Sequence, residues 1–231
     1  LPLDMTEAAN IVKKENAKIA KLIGINKAAR TTCVKPAGTT SLVLGTSSGI
    51  HAWHNDYYIR RLRVGKNESI YKYLKIHNPD LVADEYFRPH DTAVIEIPQS
   101  APKGSILRTE SAFDLLKRVK KVATEWVKPG HRKGSNTHNV SATISLKSDE
   151  WDKAGKWMWE NRDCYNGLSV LPYDGGTYTQ APFEDITKKE FDKRVKSLNY
   201  INLSNIEETT DETDLSGELA CAGGVCEITS L

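Results

Sequence analysis

The chain has 231 residues, of which 39% are hydrophobic and 27% charged, so it is long enough to bury a sizeable core. Its 32 Lys and Arg residues nearly balance its 30 Asp and Glu residues, which argues against a dedicated nucleic-acid-binding protein. We find no apolar run of membrane-spanning length and no signal peptide, and four cysteines are too few for a disulfide-stapled secreted fold. We therefore expect a cytoplasmic protein that binds neither nucleic acid nor membrane. Because it begins with Leu1, we expect a fragment, a processed product or one piece of a split protein.

Apolar periodicity predicts helices that alternate with strands along the chain. In chain order, it predicts a helix over 6–29, a strand over 57–64, a helix over 69–76, a strand over 92–97 ended by Pro98, a helix over 111–127, a strand over 140–146, a helix over 151–161, a strand over 168–171, a turn at 174–176 and a helix over 187–198. This order predicts an α/β fold with at least partly parallel strand pairing.

The composition changes after Tyr200. Seven acidic residues and no Lys or Arg lie between Glu207 and Glu227. Such a segment is typical of a solvated, unpacked tail. We therefore assign residues 1–200 to the folded region and residues 201–231 to an acidic mobile tail.

A small-residue turn occupies Lys35 to Thr40, with the sequence KPAGTT. Gly38 permits a close backbone approach, and Thr39 and Thr40 can donate hydrogen bonds from both backbone and side chain, as a phosphate requires. A helix from Ser41 onward would add its dipole. The Gly-Lys-Ser/Thr ending of a P-loop is absent, and on chemistry alone a plain hydroxyl-capped turn is the better reading.

A second turn, TSSGIH, follows from Thr46 to His51. It could close over the same ligand as the first turn, or it could be a hydroxyl-capped bend. His51 and His54 have a spacing that suits metal ligands, but no neighbouring Cys or acid completes a set. We interpret both as surface histidines and assign no metal site.

Cys221 and Cys226 enclose four residues, two of them glycine, in the predicted tail. Exposed thiols on a pliable loop suit disulfide exchange, which is the reading that the chemistry favours. Half of a zinc site is a second interpretation, although no other cysteine pair supplies the remaining ligands, and two incidental cysteines are a third.

Three further groups receive structural interpretations. Cys33 and Cys164 are each expected to be buried and inert. Three tryptophans between residues 151 and 159 are expected to serve as core and interface. The basic residues between 117 and 133 are interpreted as a solvated helix face, with an anion-attracting patch as the alternative.

Taken together, these stretches resemble the C-terminal part of the catalytic subunit of ribonucleotide reductases, specifically the adenosylcobalamin-dependent (class II) kind. The resemblance is carried by KPAGTTSLVLGTSSGIH, YYIRRLRV, NTHNVSATISL, WMWENRDCYNGLSVLPYDGG and the terminal CAGGVC, spread from residue 31 to residue 226. It implies that the chain forms the C-terminal portion of the family's ten-stranded α/β barrel, with a flexible C-terminal tail.

The resemblance also implies site residues. It assigns binding of the substrate's phosphates to the first turn, at Pro36, Ala37, Gly38, Thr39 and Thr40. It places three residues of the second turn near the substrate: Ser47, Ser48 and Gly49. It makes Cys221 and Cys226 a disulfide shuttle that reduces the active-site disulfide after each turnover and is itself reduced by thioredoxin or glutaredoxin.

The family's radical-bearing cysteine, the pair that forms the active-site disulfide and the allosteric site have no counterpart in this sequence. We therefore expect the chain to be inactive alone, as a truncated or split subunit that needs the N-terminal part of the reductase. That part would supply most of the adenosylcobalamin-binding site. The substrate would be a ribonucleoside di- or triphosphate. The alternative is a non-catalytic partner that binds nucleotide phosphate or only completes a barrel.

Overall fold

The structure of the protein is a computed structural model that describes residues 4–35, 37, 39–173 and 178–207, apart from the side chains of residues 39 and 42. These residues form two compact units. Residues 4–52 and 108–173 belong to the first unit, and residues 53–107 and 178–207 belong to the second. The boundary predicted at residue 200 stays a prediction, although residues 201–207 are described here as part of the second unit.

The described residues contain six α-helices and six strands. The helices are α1 (Met5–Ile23), α2 (Thr39–Leu44), α3 (Ser69–His77), α4 (Ala112–Val122), α5 (Trp151–Glu160) and α6 (Lys188–Ser197). The strands are β1 (Tyr57–Gly65), β2 (Val82–Asp84), β3 (Thr92–Ser100), β4 (Thr143–Leu146), β5 (Ser169–Pro172) and β6 (Phe183–Asp185).

The first unit is built on a parallel pair of strands and the helices that cover it. β4 and β5 pair in parallel and α5 connects them, which is the βα arrangement that the alternating pattern predicted. The core is aliphatic and comes mainly from α4 and β4, with Leu116, Val119 and Ile144 fully buried. α4 starts where Ser111 accepts a hydrogen bond from the Asp114 amide, and the hydroxyl's own bond to that carboxylate holds the pKa of Asp114 below its usual value.

The second unit is a four-stranded sheet in the order β2-β3-β1-β6, with antiparallel pairing throughout. Its central strands, β1 and β3, pair over their whole length from Tyr57↔Ser100 to Gly65↔Thr92. α3 covers one face, where Val64, Leu74 and Ile95 are buried together. Parallel pairing is thus confirmed for β4 and β5 but does not extend to this sheet.

The predicted helices and strands are all present, with shifted ends. α1 stops at Ile23 because Gly24 takes a left-handed conformation (φ 75°) and its amide closes the last turn on Ala20. β3 continues past Pro98 to Ser100, so the predicted stop there is wrong; Pro98 lies opposite Ile59 within the ladder. β4 begins at Thr143 rather than at residue 140. The turn predicted at 174–176 lies outside the described residues.

Candidate functional site

The first candidate turn leads directly into α2, which begins at Thr39. Of the predicted phosphate-binding residues, Ala37 and Thr40 are described in full and Thr39 by its backbone, whereas Pro36 and Gly38 lie outside the described residues. The Thr40 amide donates to the Ala37 carbonyl at 3.0 Å and closes the turn, while the Thr40 side chain is exposed. A helix does follow the turn, as expected, and the first amides of a helix have no partners of their own within it.

The segment that leads into this turn is held by the residues that follow α4. The amide and hydroxyl of Thr31 both donate to the Gly130 carbonyl, at 3.0 and 2.9 Å. The Thr32 hydroxyl donates to the Trp126 carbonyl at 2.6 Å, and the Trp126 indole donates to the Cys33 carbonyl at 3.0 Å. Three consecutive residues before the turn are therefore tied to one neighbouring segment.

The approach to β4 supports the same segment from another side. Val34 forms a parallel bridge with Val140, and the His138 ring lies 3.0 Å from the Thr32 carbonyl through Nδ1. The first turn thus follows a short extended segment that runs parallel to the chain entering β4.

Gly130 makes this anchorage possible because it has no side chain. A Cβ atom at this position would lie 2.0 Å from Thr32 Oγ1, 2.7 Å from its Cγ2 and 2.8 Å from its Cβ. Thr32 is only 4% exposed, so its side chain has no free space to move into. Glycine at position 130 is a packing requirement, and its backbone φ does not lie in the left-handed region.

A π-helical turn at the end of α4 contains the groups that form hydrogen bonds with Thr32 and Cys33. This turn covers Ala123–Val127, and the Lys128 amide reaches the Ala123 carbonyl at 2.9 Å, five residues back. A π turn is wider than an α turn and often occurs at functional sites. Here it contains Trp126, whose carbonyl and indole contact the segment before the first turn.

The second candidate turn begins at the C-terminal end of α2. Gly45 and Gly49 both have left-handed backbone conformations, with φ of 61° and 59°. The Thr46 amide donates to the Ser41 carbonyl at 3.0 Å, and the Ser47 hydroxyl donates to the Gly49 carbonyl at 3.4 Å. Glycine is therefore needed twice in this turn because other residues rarely adopt that conformation.

His51 fixes the second turn to β4. Its Nε2 accepts the Thr143 amide at 3.0 Å, and its Nδ1 lies 2.9 Å from the Ser48 carbonyl. A backbone amide can only donate and a carbonyl can only accept. The imidazole that bridges these two groups is therefore neutral, with its proton on Nδ1. The interpretation of His51 as a surface histidine is wrong, since its ring bridges two backbone segments and is half-buried.

The basic residues after position 117 are engaged inside the first unit. Arg118 forms an ion pair with Glu110 in which the two side chains are 15% and 13% exposed, and it also donates to the Ile50 carbonyl at 3.0 Å. Other residues of this group contact oxygen atoms of the protein: Lys120 contacts Asn161, Lys121 contacts Glu125 and Lys128 contacts the Asp163 carbonyl. For Arg118 the solvated-face interpretation is wrong, and its bond to Ile50 steadies the end of the second turn.

The second unit contains a buried cluster of aromatic and charged side chains. The His54 ring stacks on Phe183 and its Nε2 lies 2.9 Å from Asp185, so His54 is not a surface residue either. The Arg60 guanidinium also lies over the Phe183 ring, 4.3 Å from its centre. Burial lowers the pKa of Arg60 and raises that of Tyr58. The cluster fastens β6 to β1.

The thiols differ from their predicted environments. Cys33 is exposed and Cys164 is half-buried, so neither is the buried residue that was expected. Cys33 is anchored through its carbonyl while its side chain faces solvent. Cys221 and Cys226 lie outside the described residues, and their pairing stays a prediction.

Sequence reasoning missed the residues that support the two turns. Thr32, Trp126 and His51 act through hydrogen bonds to residues about ninety positions away, and no local pattern encodes such contacts. Pro129 and Gly130 follow the helix predicted over 111–127, and such a pair indicates only where a helix ends. The two hydroxyl residues shortly before the first turn, Thr31 and Thr32, were the one available signal.

The described part of the chain contains neither a metal-binding cluster nor a membrane-spanning helix. No three His, Cys, Asp or Glu side chains there converge on a point where a metal ion could be held. None of the helices described there combines the length and the apolar character needed to cross a bilayer.

Comparison with known proteins identifies relatives of one kind. No protein-family model matches the chain. Adenosylcobalamin-dependent ribonucleoside-triphosphate reductases match it from Lactobacillus delbrueckii subsp. bulgaricus (28% identity over 229 residues, 94% of this chain and 29% of the relative) and from Euglena gracilis (25% over 228 residues, 96% and 30%). The relative from Lactobacillus acidophilus is 29% identical over 213 residues, 89% of this chain and 27% of the relative.

A solved structure agrees with these relatives. The crystal structure of a B12-dependent (class II) ribonucleotide reductase matches with a TM-score of 0.67 and 25% identity, over 82% of this chain and 27% of that one. The chain thus spans less than a third of the length of the relatives it matches. The match confirms the expected fold, a portion of the mixed α/β structure of these enzymes. Along nearly its whole length, the chain is similar to a part of the adenosylcobalamin-dependent (class II) ribonucleotide reductases, which confirms the resemblance seen in its motifs.

Proposed function

We propose that this chain is a working part of a ribonucleotide reductase, which converts ribonucleotides to 2′-deoxyribonucleotides by radical chemistry, and that it is inactive without the rest of that enzyme. The observation that carries the proposal is the similarity to class II reductases over 94% of the chain. Because the relatives are more than three times longer, the remaining part of the reductase is the partner that we expect.

The first turn, residues 36–40, is proposed to bind the substrate's phosphates. Three structural features support this role: α2 starts within the turn, the Thr40 side chain is exposed, and the preceding segment is held by Thr32 and Gly130. A rigid base with outward-facing donors suits an anionic ligand, because little freedom is lost when the ligand binds.

The second turn is proposed to contact another part of the same nucleotide. α2 begins within the first turn, and the four residues of α2 that follow Thr40 separate the two turns by about 6 Å of helical rise. A single phosphate group cannot span that distance, whereas a nucleotide can. We therefore assign Ser47, Ser48 and Gly49 a position beside the substrate, with His51 and Arg118 holding the turn in place. The relatives' names specify triphosphates, so we expect a ribonucleoside triphosphate to bind more tightly than a diphosphate.

Cys221 and Cys226 are proposed to supply reducing equivalents. Reduction of the ribose leaves a disulfide in the active site. The two tail thiols would reduce that disulfide and become a disulfide themselves, and the dithiol of thioredoxin or glutaredoxin would then restore them. The number of electrons balances at each step, because one dithiol is oxidised for every disulfide reduced.

The remaining part of the enzyme is proposed to bind adenosylcobalamin, which supplies the radical when it is bound. The two turns offer hydroxyls and backbone amides, which suit phosphates rather than a corrin ring, so we assign the cofactor no residue of this chain.

α1 offers a surface for the missing part: five large aliphatic side chains share one exposed face, namely Ile11, Val12, Ile19, Leu22 and Ile23. Large apolar side chains exposed on one face of a helix are typical of a protein interface.

Reconstitution tests the proposal. The chain is combined with the rest of the reductase and adenosylcobalamin, and deoxyribonucleotide formation is measured with di- and triphosphates. Thr39→Ala combined with Thr40→Ala removes two hydroxyl donors, each worth roughly 1 kcal/mol, so we expect the nucleotide Kd to rise about thirtyfold. Thr124→Ala is the matched control, because within the described part of the chain this exposed threonine donates only to carbonyls of the preceding turn, those of Lys120 and Lys121.

Each part of the proposal has its own contrary result. An unchanged nucleotide Kd in the double threonine variant would refute the phosphate turn. Nucleotide binding without any turnover in a complete mixture would favour the alternative, a non-catalytic partner that binds phosphate. Turnover by this chain alone would contradict its assignment as an incomplete part.

A further inference from the structure

The last described residues form an extended segment that runs back along α3. After α6 ends at Ser197, residues 198–207 pass the C-terminal end of α3 first and its N-terminal end last. Leu198 and Ile201 pack against the apolar cluster under α3. At the far end, the Ser69 hydroxyl donates to the Glu207 carbonyl at 3.1 Å. We call residues 198–207 the strap.

The strap is fastened by a buried asparagine. Asn78 is 3% exposed, and its side-chain oxygen accepts the Asn199 amide at 2.8 Å while its side-chain nitrogen donates to the Asn199 carbonyl at 3.3 Å. The Asn199 side chain in turn donates to the His77 carbonyl at 2.7 Å. A buried amide with all these bonds fixes one backbone position firmly, because leaving any of its polar groups unpaired is unfavourable.

A second fastening lies one helical turn further on. The Tyr73 hydroxyl accepts the Asn202 amide at 3.1 Å. The Asn202 side chain then caps a short 3₁₀ turn, Leu203–Asn205, by accepting the Ser204 amide at 3.1 Å. Each end and the middle of the strap are thus bonded to α3 or to the residue that follows it.

We propose that the strap fixes the point from which the dithiol tail departs, at the N-terminal end of α3, and that Asn78 is its positioning residue. The purpose of this arrangement rests on the shuttle role proposed above, whereas the fastening itself does not. Cys221 lies fourteen positions after Glu207, and fourteen residues span at most about 50 Å. If the strap were released, the departure point would move back to Ser197, and the twenty-four intervening residues would span at most about 85 Å.

Lengthening a tether lowers the effective concentration of the group that it carries. The concentration falls roughly as the −3/2 power of tether length, so an increase from fourteen to twenty-four residues lowers it about twofold. The strap therefore shortens the search of the dithiol for the disulfide that it reduces. A small dithiol in solution needs no tether and gains nothing from the strap.

Hydrogen exchange on the full chain tests the fastening without any reductase activity. In Asn78→Ala, we expect amides of residues 199–207 to exchange at least tenfold faster, while amides of β1 and β3 keep their protection. Tyr73→Phe is a milder second variant that removes only the acceptor for Asn202. Asn55→Ala is the control, since among the described residues the side-chain oxygen of Asn55 accepts only the neighbouring amide of Asp56. Unchanged exchange of the strap in both variants would overturn the proposal.

The reconstituted reductase tests the purpose. With thioredoxin as the reductant, Asn78→Ala should lower multiple-turnover rates about twofold, and with a small dithiol it should leave them unchanged. Equal losses with both reductants would show a merely structural role and overturn the positioning assignment. If the wild-type mixture does not turn over, the proposed function fails, and the exchange experiment still decides whether the strap is fastened as described.

Discussion

Replacing Gly130 with alanine probes the anchorage of the first turn most directly. The added Cβ would meet Thr32 at 2.0 Å from Oγ1 and 2.8 Å from Cβ. A rotation of the Thr32 side chain cannot relieve the contact with its Cβ, because that atom is attached to the backbone. The segment carrying Thr32 and Cys33 must therefore move, and the first turn must move with it.

The cost follows from the size of the clash. Overpacking a well-filled site by one methyl group typically destabilises a protein by 1–3 kcal/mol, so we expect Gly130→Ala to lower the free energy of unfolding by about 2 kcal/mol. For a domain of this size that corresponds to a fall in Tm of about 4–8 °C. Chemical denaturation measures the stability, and titration of the reconstituted enzyme with nucleotide measures the effect on the turn, where we expect weaker binding.

Two further variants decide whether the clash is the cause. Thr32→Ala removes the Oγ1 and Cγ2 atoms, so adding Gly130→Ala to it should cost at least about 1 kcal/mol less than in the wild-type background. Gly155→Ala is the control: Gly155 lies in α5, a Cβ there has no neighbour within 4 Å, and helix propensity predicts a gain of about 0.5–1 kcal/mol. The reasoning fails if Gly130→Ala is as stable as wild type, or if its cost is independent of Thr32.

Three other changes test separate parts of the molecule. Leu22→Lys, at a residue 78% exposed on α1, should leave the unfolding free energy within about 0.5 kcal/mol yet weaken binding to the rest of the reductase in sedimentation experiments. His51→Ala should destabilise the chain by about 1–3 kcal/mol, because it leaves a backbone amide unpaired, as denaturation would show. Hydrogen bonds from Arg88 and Thr92 lower the pKa of Asp91 to about 2. The ionised carboxylate should therefore stabilise the fold fully above its unfolded pKa near 4, and this stabilisation should be lost as pH falls toward 2. An NMR titration of wild type measures the pKa, and denaturation of wild type and Asp91→Asn over this pH range measures the stability.

Local patterns predicted the longer helices and strands, but not the three-residue strands β2 and β6. Apolar periodicity located α1, α4 and α5, because each helix needs an apolar stripe to pack on a core. Alternation located β1 and β3 for the corresponding reason. The ends of elements were harder to predict, because they depend on single residues such as Gly24 and on the pairing partner of each strand. Pro98, for example, lies within β3 because that strand pairs with β1 on both sides of it, and the local sequence does not show this pairing.

Contacts between distant residues could not be predicted. The antiparallel order of the four-stranded sheet depends on β6 returning to β1 from more than one hundred residues away. The buried state of His51 depends on the position of Thr143, and the exposure of Cys33 depends on which side of its segment faces Trp126. Composition also predicted that the tail starts at residue 201. Composition cannot reveal the hydrogen bonds by which Asn199 and Asn202 connect the strap to Asn78 and Tyr73.

The threonines before and within the first turn have two different tasks, and this difference bears on the phosphate site. Thr31 and Thr32 direct their hydroxyls to backbone carbonyls of residues 126–130, so they are committed to the scaffold. Thr40, eight residues further along, has an exposed side chain on a helix that starts one residue earlier. A turn that binds an anion needs donors that the fold has not already used, together with a base that does not move. Thr31 and Thr32 supply the base that does not move, and the exposed hydroxyl of Thr40, within the first turn, is the donor that the fold has not already used.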